Sequence, residues 1–228
     1  RGIDPMTQDA GLEARLHGFI NRCETFALPN KKAAYELTHI VFYLSEYGRR
    51  DPVLSPAALT SLRHAGTLAF LELNIDLLSE VCIALRFAGA TPPEIWERWL
   101  ADQATRFHVV EAGPRAASAD DYHPWLMLNW VLATAGRDAF TQAIPDGCVA
   151  FVAPTPAAGP LRELSDSIYR MEGPRSDEWG KMRDQLGDTL SHEARTVLEA
   201  AEQAVDFESF FRGFSRAAQP DMSVGAVL

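Results

Sequence analysis

The chain has 228 residues, with 31 acidic against 21 basic side chains and a formal net charge of −10 at pH 7. Hydrophobic residues make up 47% of the sequence, which is enough for a folded core and excludes an intrinsically disordered chain. The acidic balance disfavours binding to nucleic acid or to an anionic membrane surface, because neither polyanion is attracted to it.

Hydrophobic residues at helical spacing, separated by Gly, Pro and Asn, predict an all-α fold of about ten helices. Asn30 and Asn74 are placed to cap the second and fourth helices, and Ser55 followed by proline is typical of a helix start. Thr91 with Glu94 three residues later has the pattern of a capping box for the fifth helix. The predicted helices cover residues 8–27, 31–47, 55–73, 74–89, 91–112, 119–136, 161–171, 176–186, 191–205 and 206–216.

Short connections between consecutive helices predict antiparallel hairpins, packed as a bundle or as a curved α/α stack. The run 147–154 is the one strand-like segment, and the Pro- and Gly-rich stretch after it is typical of a linker. The predicted divisions are an expression-tag remnant (1–5), a main helical domain (6–146), a linker or short extended segment (147–160), C-terminal helices packed on the main domain (161–218) and a mobile tail (219–228).

The sequence predicts a cytoplasmic protein without a signal peptide or a membrane span. Its most apolar run, 68–85, contains three acidic residues, which a membrane-spanning helix would not carry. The three cysteines lie far apart without metal-ligand spacing, so they are expected to be small core residues in a reducing compartment. Nucleotide-binding and zinc-protease motifs do not occur, and no cofactor is predicted.

The second predicted helix carries the densest group of residues suited to chemistry. One of its faces is an ordinary apolar stripe, whereas the other combines aromatic rings with an imidazole and two carboxylates, as a pocket wall does. An imidazole in such a wall is suited to general acid or base catalysis near neutral pH. The alternative is a core histidine whose ring nitrogens bond to Glu36 or to a backbone carbonyl. The residues of this face are Tyr35, Glu36, His39, Phe42, Tyr43 and Glu46.

A second candidate is the segment Asp120-Asp121-Tyr122-His123 at the start of the sixth predicted helix. Backbone N–H groups and the positive end of the helix dipole gather at such a start. The functional interpretation makes His123 a second pocket residue that faces His39. The alternative is a capping cluster with His123 exposed to solvent.

Two acid-x-x-His pairs allow a metal-binding interpretation, since Glu36 precedes His39 and Asp120 precedes His123 by three residues. Carboxylate-bridged di-metal bundles direct such pairs and further carboxylates inward from four helices. Three more acids lie at four-residue spacing on another helix, and the alternative interpretation assigns them to the wet side of an amphipathic helix. These acids are Glu72, Asp76 and Glu80.

The run YELTHIVFYLSEYG from Tyr35 to Gly48, together with Asp121-Tyr122-His123, resembles a group of all-α proteins of actinobacteria. That group has no established activity and often accompanies natural-product gene clusters. The similarity covers roughly the first two-thirds of the chain. The resemblance implies a cytoplasmic bacterial protein of specialised metabolism, with His39 and His123 as the positions of interest, and it implies no particular reaction.

These observations lead to the hypothesis of a cofactor-independent acid/base enzyme, or the small-molecule-binding subunit of one, for elimination, cyclisation or isomerisation. His39 is the predicted acid/base, Glu36 orients its tautomer, Tyr43 donates a hydrogen bond and His123 assists. One alternative is a non-catalytic partner subunit or homo-oligomer that uses the aromatic face as an interface. Another is a di-metal oxidase. The predicted substrate contacts are Tyr35, Phe42, Arg49 and Trp125.

Overall fold

The protein is described by a computed structural model that covers residues 9–112, 121–154, 159–171 and 175–215. Within these ranges the chain forms ten α-helices, one short 3₁₀ helix and one two-stranded antiparallel sheet, which confirms the predicted all-α class. The predicted tag remnant and tail, 1–5 and 219–228, lie outside the described residues. Among the described helices, none combines the length and the apolar character that crossing a bilayer requires.

The helices lie close to the predicted positions, and the sheet contains one strand that the sequence pattern did not predict. The strands are β1 (His108–Glu111) and β2 (Val149–Val152), and the 3₁₀ helix covers Cys23–Ala27. The α-helices are α1 (Leu12–Ile20), α2 (Lys31–Leu44), α3 (Pro56–Leu71), α4 (Ile75–Phe87), α5 (Glu94–Arg106), α6 (Tyr122–Thr134), α7 (Pro160–Arg170), α8 (Trp179–Leu186), α9 (His192–Ala204) and α10 (Phe207–Phe214).

Side-chain caps fix the starts of the three helices for which the sequence predicted them most directly. Asn30 accepts a hydrogen bond from a backbone N–H of α2, and Asn74 does the same for α4, each over 3.1 Å. Ser55 caps α3 over 3.2 Å, with Pro56 as the first helical residue. The predicted capping box of α5 is wrong, because Pro93 occupies the N-cap position and no side chain caps that helix.

Two further boundaries differ because tertiary contacts decide them. The first predicted helix divides into α1 and the 3₁₀ helix, and the break follows Ile20, whose carbonyl accepts a hydrogen bond from Ser61 of α3 over 2.5 Å. The fifth predicted helix ends early, and β1 takes up its last residues. β1 pairs antiparallel with β2, with His108 opposite Val152 and Glu111 opposite Val149. A strand partner 38 to 44 positions away in the chain leaves no trace in local periodicity.

Helix α4 lies at the centre of the fold and is buried on all sides, since every residue from Leu77 to Leu85 is buried. It contacts α2, α3, α5 and α6. Tyr35 of α2 contacts Asp76 near the start of α4, and Phe42 of α2 contacts Phe87 at its end, so α2 and α4 run in the same direction. The same ordering holds for α6, and all three helices therefore present their N-terminal ends at one side of the molecule.

His64 of α3 is a core histidine, 6% exposed, between the 3₁₀ helix and α10. Its Nδ1 lies 3.0 Å from the carbonyl oxygen of Cys23, and because a carbonyl can only accept, Nδ1 carries the hydrogen. Burial lowers the pKa of His64 below its ordinary 6.5, although the Cys23 carbonyl and the Asp206 charge oppose this shift. The folded protein therefore holds His64 as a neutral ring.

We expect His64 to make the protein less stable in mild acid. The unfolded chain binds a proton at His64 as the pH falls below about 6.5, whereas the folded chain resists protonation, so the free energy of unfolding decreases. Denaturant unfolding of wild type and His64→Gln between pH 7.5 and about 5 gives the free energy of unfolding of each protein. The amount by which wild type is more stable than His64→Gln should shrink or reverse as the pH falls. Parallel curves would contradict the prediction, and His192→Gln, an exposed-histidine control, should follow wild type.

Candidate active site

Two carboxylates of α4 and two histidines from its neighbours converge where α4 packs against α2 and α6. Asp76 and Glu80 lie one helical turn apart and therefore share a face of α4. His123 of α6 places Nδ1 2.7 Å from Oδ1 of Asp76. His39 of α2 places Nε2 3.6 Å from Oε2 of Glu80. These four residues are called the carboxylate–histidine cluster below.

Two hydroxyl groups of α2 hold the carboxylates in place. The Tyr35 hydroxyl donates to Oδ2 of Asp76 over 2.7 Å, and the Thr38 hydroxyl donates to Oε2 of Glu80 over 2.5 Å. Burial, and then the hydrogen bond to Asp76, raises the pKa of Tyr35, so its phenol stays a donor across the physiological range. The partly buried Tyr35 and the buried Thr38 thus orient the two carboxylates.

The cluster is buried at its base and open at its rim. The Glu80 side chain is 2% exposed and the Asp76 side chain 16%, whereas the imidazoles of His39 and His123 are 54% and 57% exposed. Burial raises the pKa of Glu80, against the opposing effects of the Thr38 hydrogen bond and the His39 charge. A solute can therefore reach the imidazoles, while the buried Glu80 carboxylate lies within ion-pair distance of His39.

Exposed aromatic rings continue from the cluster toward the C-terminal ends of the same helices. Phe42 lies 6.2 Å from the His39 ring and 5.6 Å from Trp130 of α6, measured between ring centroids. Tyr47 stacks on Trp130, and Tyr43 meets Tyr47 edge to face. Tyr43 is 66% exposed and Tyr47 51%. Tyr43, Tyr47 and Trp130 are called the aromatic surface below.

The chain reaches this surface through a strained turn after α2. Glu46 and Tyr47 have φ values of 49° and 58°, in the left-handed region that side chains other than glycine rarely adopt. Gly48 follows with φ 83°, and a Cβ atom there would lie 2.6 Å from the Phe87 ring. Such strain persists only where surrounding contacts enforce it, and here it places Tyr47 on Trp130.

The two histidines that the sequence singled out both reach the same pair of carboxylates. His39 is not the core histidine of the alternative interpretation, because its side chain is 54% exposed and its Nε2 lies 3.6 Å from Glu80. His123 is exposed at the start of α6, as the capping alternative expected, yet it also contacts Asp76 of α4. Asp120, the acid of the second predicted acid-x-x-His pair, lies outside the described residues.

The structure places the other candidate residues of α2 differently from the predicted arrangement. Glu36 is exposed, and the carboxylate that lies 3.6 Å from the imidazole is Glu80 of α4. Tyr43 points to solvent, whereas Tyr35, predicted as a substrate contact, bonds to Asp76. The reason is that α2 turns its Tyr35–Thr38–Phe42 face, and not its Glu36–Tyr43 face, toward α4.

The remaining predicted substrate contacts are dispersed. Phe42 is buried beneath the aromatic surface, and Arg49 is exposed in the turn that follows α2. Trp125 is buried against Phe140 and Phe151 and lines a separate cavity of about 250 Å³ with residues of α5. It lies on α6 two residues after His123, which directs it to a different side of that helix.

The interpretation of the α4 acids as a wet helix face is wrong for Glu80 and incomplete for Asp76. A usable indication was present in the sequence, because the stretch 75–85 is apolar on every face of a helix apart from these acids and Ser79. A helix that is apolar all round is a buried helix, and an acid within it needs a partner. Glu72 behaves differently, since it pairs with Lys31 over 3.0 Å.

Comparison with known proteins gives one match. The family model described as Domain of unknown function (DUF6902) matches residues 1–217. No curated protein matches the chain. No solved structure matches it either.

Proposed function

The chain belongs to the DUF6902 family, a family of domains of unknown function, and we propose that it is a proton-transfer enzyme acting on a small molecule. The carboxylate–histidine cluster is the site of this chemistry, and His39 is the residue that exchanges a proton with the substrate. The observation that carries the proposal is the pairing of the exposed His39 imidazole with the buried Glu80 carboxylate, whose atoms Nε2 and Oε2 lie 3.6 Å apart.

A histidine acts as an efficient acid or base when a second group fixes its ring and one face remains accessible. Glu80 is this second group, because Thr38 holds its carboxylate and the surrounding helices exclude water from it. The half-exposed His39 ring supplies the accessible face. Elimination, cyclisation and isomerisation share one step of this kind, in which a base removes a proton from carbon and an acid returns one elsewhere.

The aromatic surface supports a substrate with an apolar ring. The Phe42 ring connects His39 to this surface, since it lies 6.2 Å from the His39 ring and 5.6 Å from Trp130, and exposed ring faces bind planar or apolar groups. Glu80 and Phe87 lie seven residues apart on α4, which corresponds to about 10 Å along the helix axis. A substrate that spans this distance would place its apolar part on the aromatic surface and its acidic carbon at His39.

The proposal predicts hydrogen–deuterium exchange at carbon. In D₂O, a base that removes a carbon-bound proton exchanges it with solvent, and loss of that C–H signal in ¹H NMR records the exchange without knowledge of the complete reaction. A panel of aryl ketones and aryl-substituted β-keto acids supplies suitable carbon acids. We expect the wild-type protein to accelerate exchange in at least one compound, and His39→Gln to reduce that rate by about 10²–10⁴-fold.

Two controls make this result specific. His192→Gln removes an exposed imidazole of α9 and should exchange at the wild-type rate. Circular dichroism and thermal melting of His39→Gln should match wild type, because the ring is half exposed. Equal exchange by wild type and His39→Gln contradicts the proposal. Absence of exchange across the whole panel also contradicts it, and favours the partner-subunit alternative, in which exposed Tyr43 and Tyr47 contact another protein.

A further inference from the structure

We infer that Asp76, Glu80 and His123 form a binding site for one divalent transition-metal ion, adjacent to His39. The sequence pattern left a di-metal site as an alternative, with Glu36 and Asp120 among its acids, whereas the present site holds one ion and uses neither of them. The inference deepens the proposed function, on which the catalytic role of the ion rests, whereas the binding itself is measured without any substrate.

The donor atoms already lie close to the arrangement that one ion requires. One oxygen from each carboxylate and one ring nitrogen of His123 all lie within 4.8 Å of one another. Ligands at about 2.2 Å on opposite sides of an ion lie about 4.4 Å apart, so small side-chain rotations bring all three into coordination range. The three residues come from two helices that pack firmly together, which fixes their relative positions.

The hydroxyl groups around the carboxylates match the support that metal ligands receive. The Tyr35 hydroxyl donates a hydrogen bond to Oδ2 of Asp76, and Oδ1 of the same carboxylate faces His123. Thr38 orients the Glu80 carboxylate from the side of α2. Ligating carboxylates in metal sites are held by outer hydrogen bonds of this type, which set the direction of the remaining lone pairs.

Charge also favours a cation at this position. In the described part of the chain, the ion-pair partners of Asp76 and Glu80 are histidines, whereas the nearby Glu72 and Glu97 pair with Lys31 and Arg86. Two carboxylates one turn apart repel each other, and Glu80 is removed from water as well. A divalent ion compensates both charges at once.

The donor set selects the class of metal. Carboxylate oxygens combined with an imidazole nitrogen suit Mn²⁺, Fe²⁺, Co²⁺ or Zn²⁺, whereas Mg²⁺ prefers oxygen ligands alone. Three protein ligands at a half-exposed rim leave positions for water or substrate. Glu72, the third acid of the sequence pattern, is held by Lys31, so these residues provide for one ion and not for a bridged pair. An ion there would polarise a substrate carbonyl beside His39 and make the neighbouring C–H more acidic.

The test is titration of chelator-treated protein with Mn²⁺, followed by electron paramagnetic resonance and isothermal calorimetry, with Co²⁺ absorption spectra as a report on ligand geometry. We expect one equivalent of Mn²⁺ to bind to wild type. Tyr35→Phe should weaken the affinity by about ten-fold through loss of the outer hydrogen bond, and His123→Ala should weaken it further. His192→Ala is the matched control, since His192 also lies exposed at a helix start, and it should bind as wild type does.

Binding well below one equivalent overturns the inference, and so does equal affinity of wild type and His123→Ala. Because His123 is half exposed, its removal should leave the helical circular-dichroism spectrum unchanged, and the spectrum checks this directly. The two proposals fail separately. One equivalent of Mn²⁺ without exchange in any compound rejects the proton-transfer function alone, and exchange by protein that binds no Mn²⁺ rejects the metal site alone.

Discussion

Glu80→Gln should lower the rate of hydrogen–deuterium exchange by about 10²–10⁴-fold while leaving the free energy of unfolding unchanged or higher. The rate falls because a neutral amide neither orients the His39 ring nor stabilises its protonated form. The fold tolerates the change, because Thr38 can donate to the amide oxygen as it does to the carboxylate. Stability does not fall, since an isosteric neutral group removes the cost of a buried charge beside Asp76.

Exchange rates and urea unfolding curves of metal-free wild type and Glu80→Gln provide the measurement. Glu94→Gln serves as the control, because Glu94 is an exposed acid of α5 that pairs only with Arg98 in the described residues. It should leave both quantities at wild-type values. A large drop in the stability of Glu80→Gln would show that Glu80 is a structural ion-pair residue, contrary to the proposed role.

Trp96→Ala should decrease the free energy of unfolding by about 3–5 kcal/mol, the range found when a buried aromatic side chain is removed. Trp96 is 0% exposed and lies against Gly66 of α3, where even a Cβ atom would be 2.5 Å from the indole ring. The helix surfaces are therefore shaped around this ring, and its loss leaves a cavity that they cannot close without moving.

Urea unfolding followed by circular dichroism measures this effect without relying on tryptophan fluorescence. Trp96→Phe separates ring packing from polarity, because the Trp96 N–H is buried and finds no partner in the described part of the structure. Trp96→Phe should decrease the free energy of unfolding by less than Trp96→Ala does. Tyr169→Ala, at a position 78% exposed on α7, should change the free energy of unfolding by no more than about 0.5 kcal/mol. A loss below about 1 kcal/mol in Trp96→Ala would mean that the core closes around the vacancy.

The candidate site was only partly predictable from the sequence. Local pattern was sufficient to select His39 and His123, because an imidazole among aromatic rings on one helix face is unusual wherever that helix packs. Local spacing favours Glu36 as the partner of His39, since residues three apart share a helix face. The choice of Glu80 depends on which way α2 is rotated against α4, and that rotation follows from the packing of Phe42 on Phe87.

The sequence by itself determined the helical class and most helix starts. These properties follow from short-range causes: hydrophobic residues at helical spacing and the caps at Asn30, Ser55 and Asn74. Only the tertiary structure decided which acids meet which histidines, where β1 replaces a helix, and why α1 stops at Ile20. Each of these outcomes depends on a contact between residues about forty positions apart, and local propensity and periodicity carry no information about such a contact.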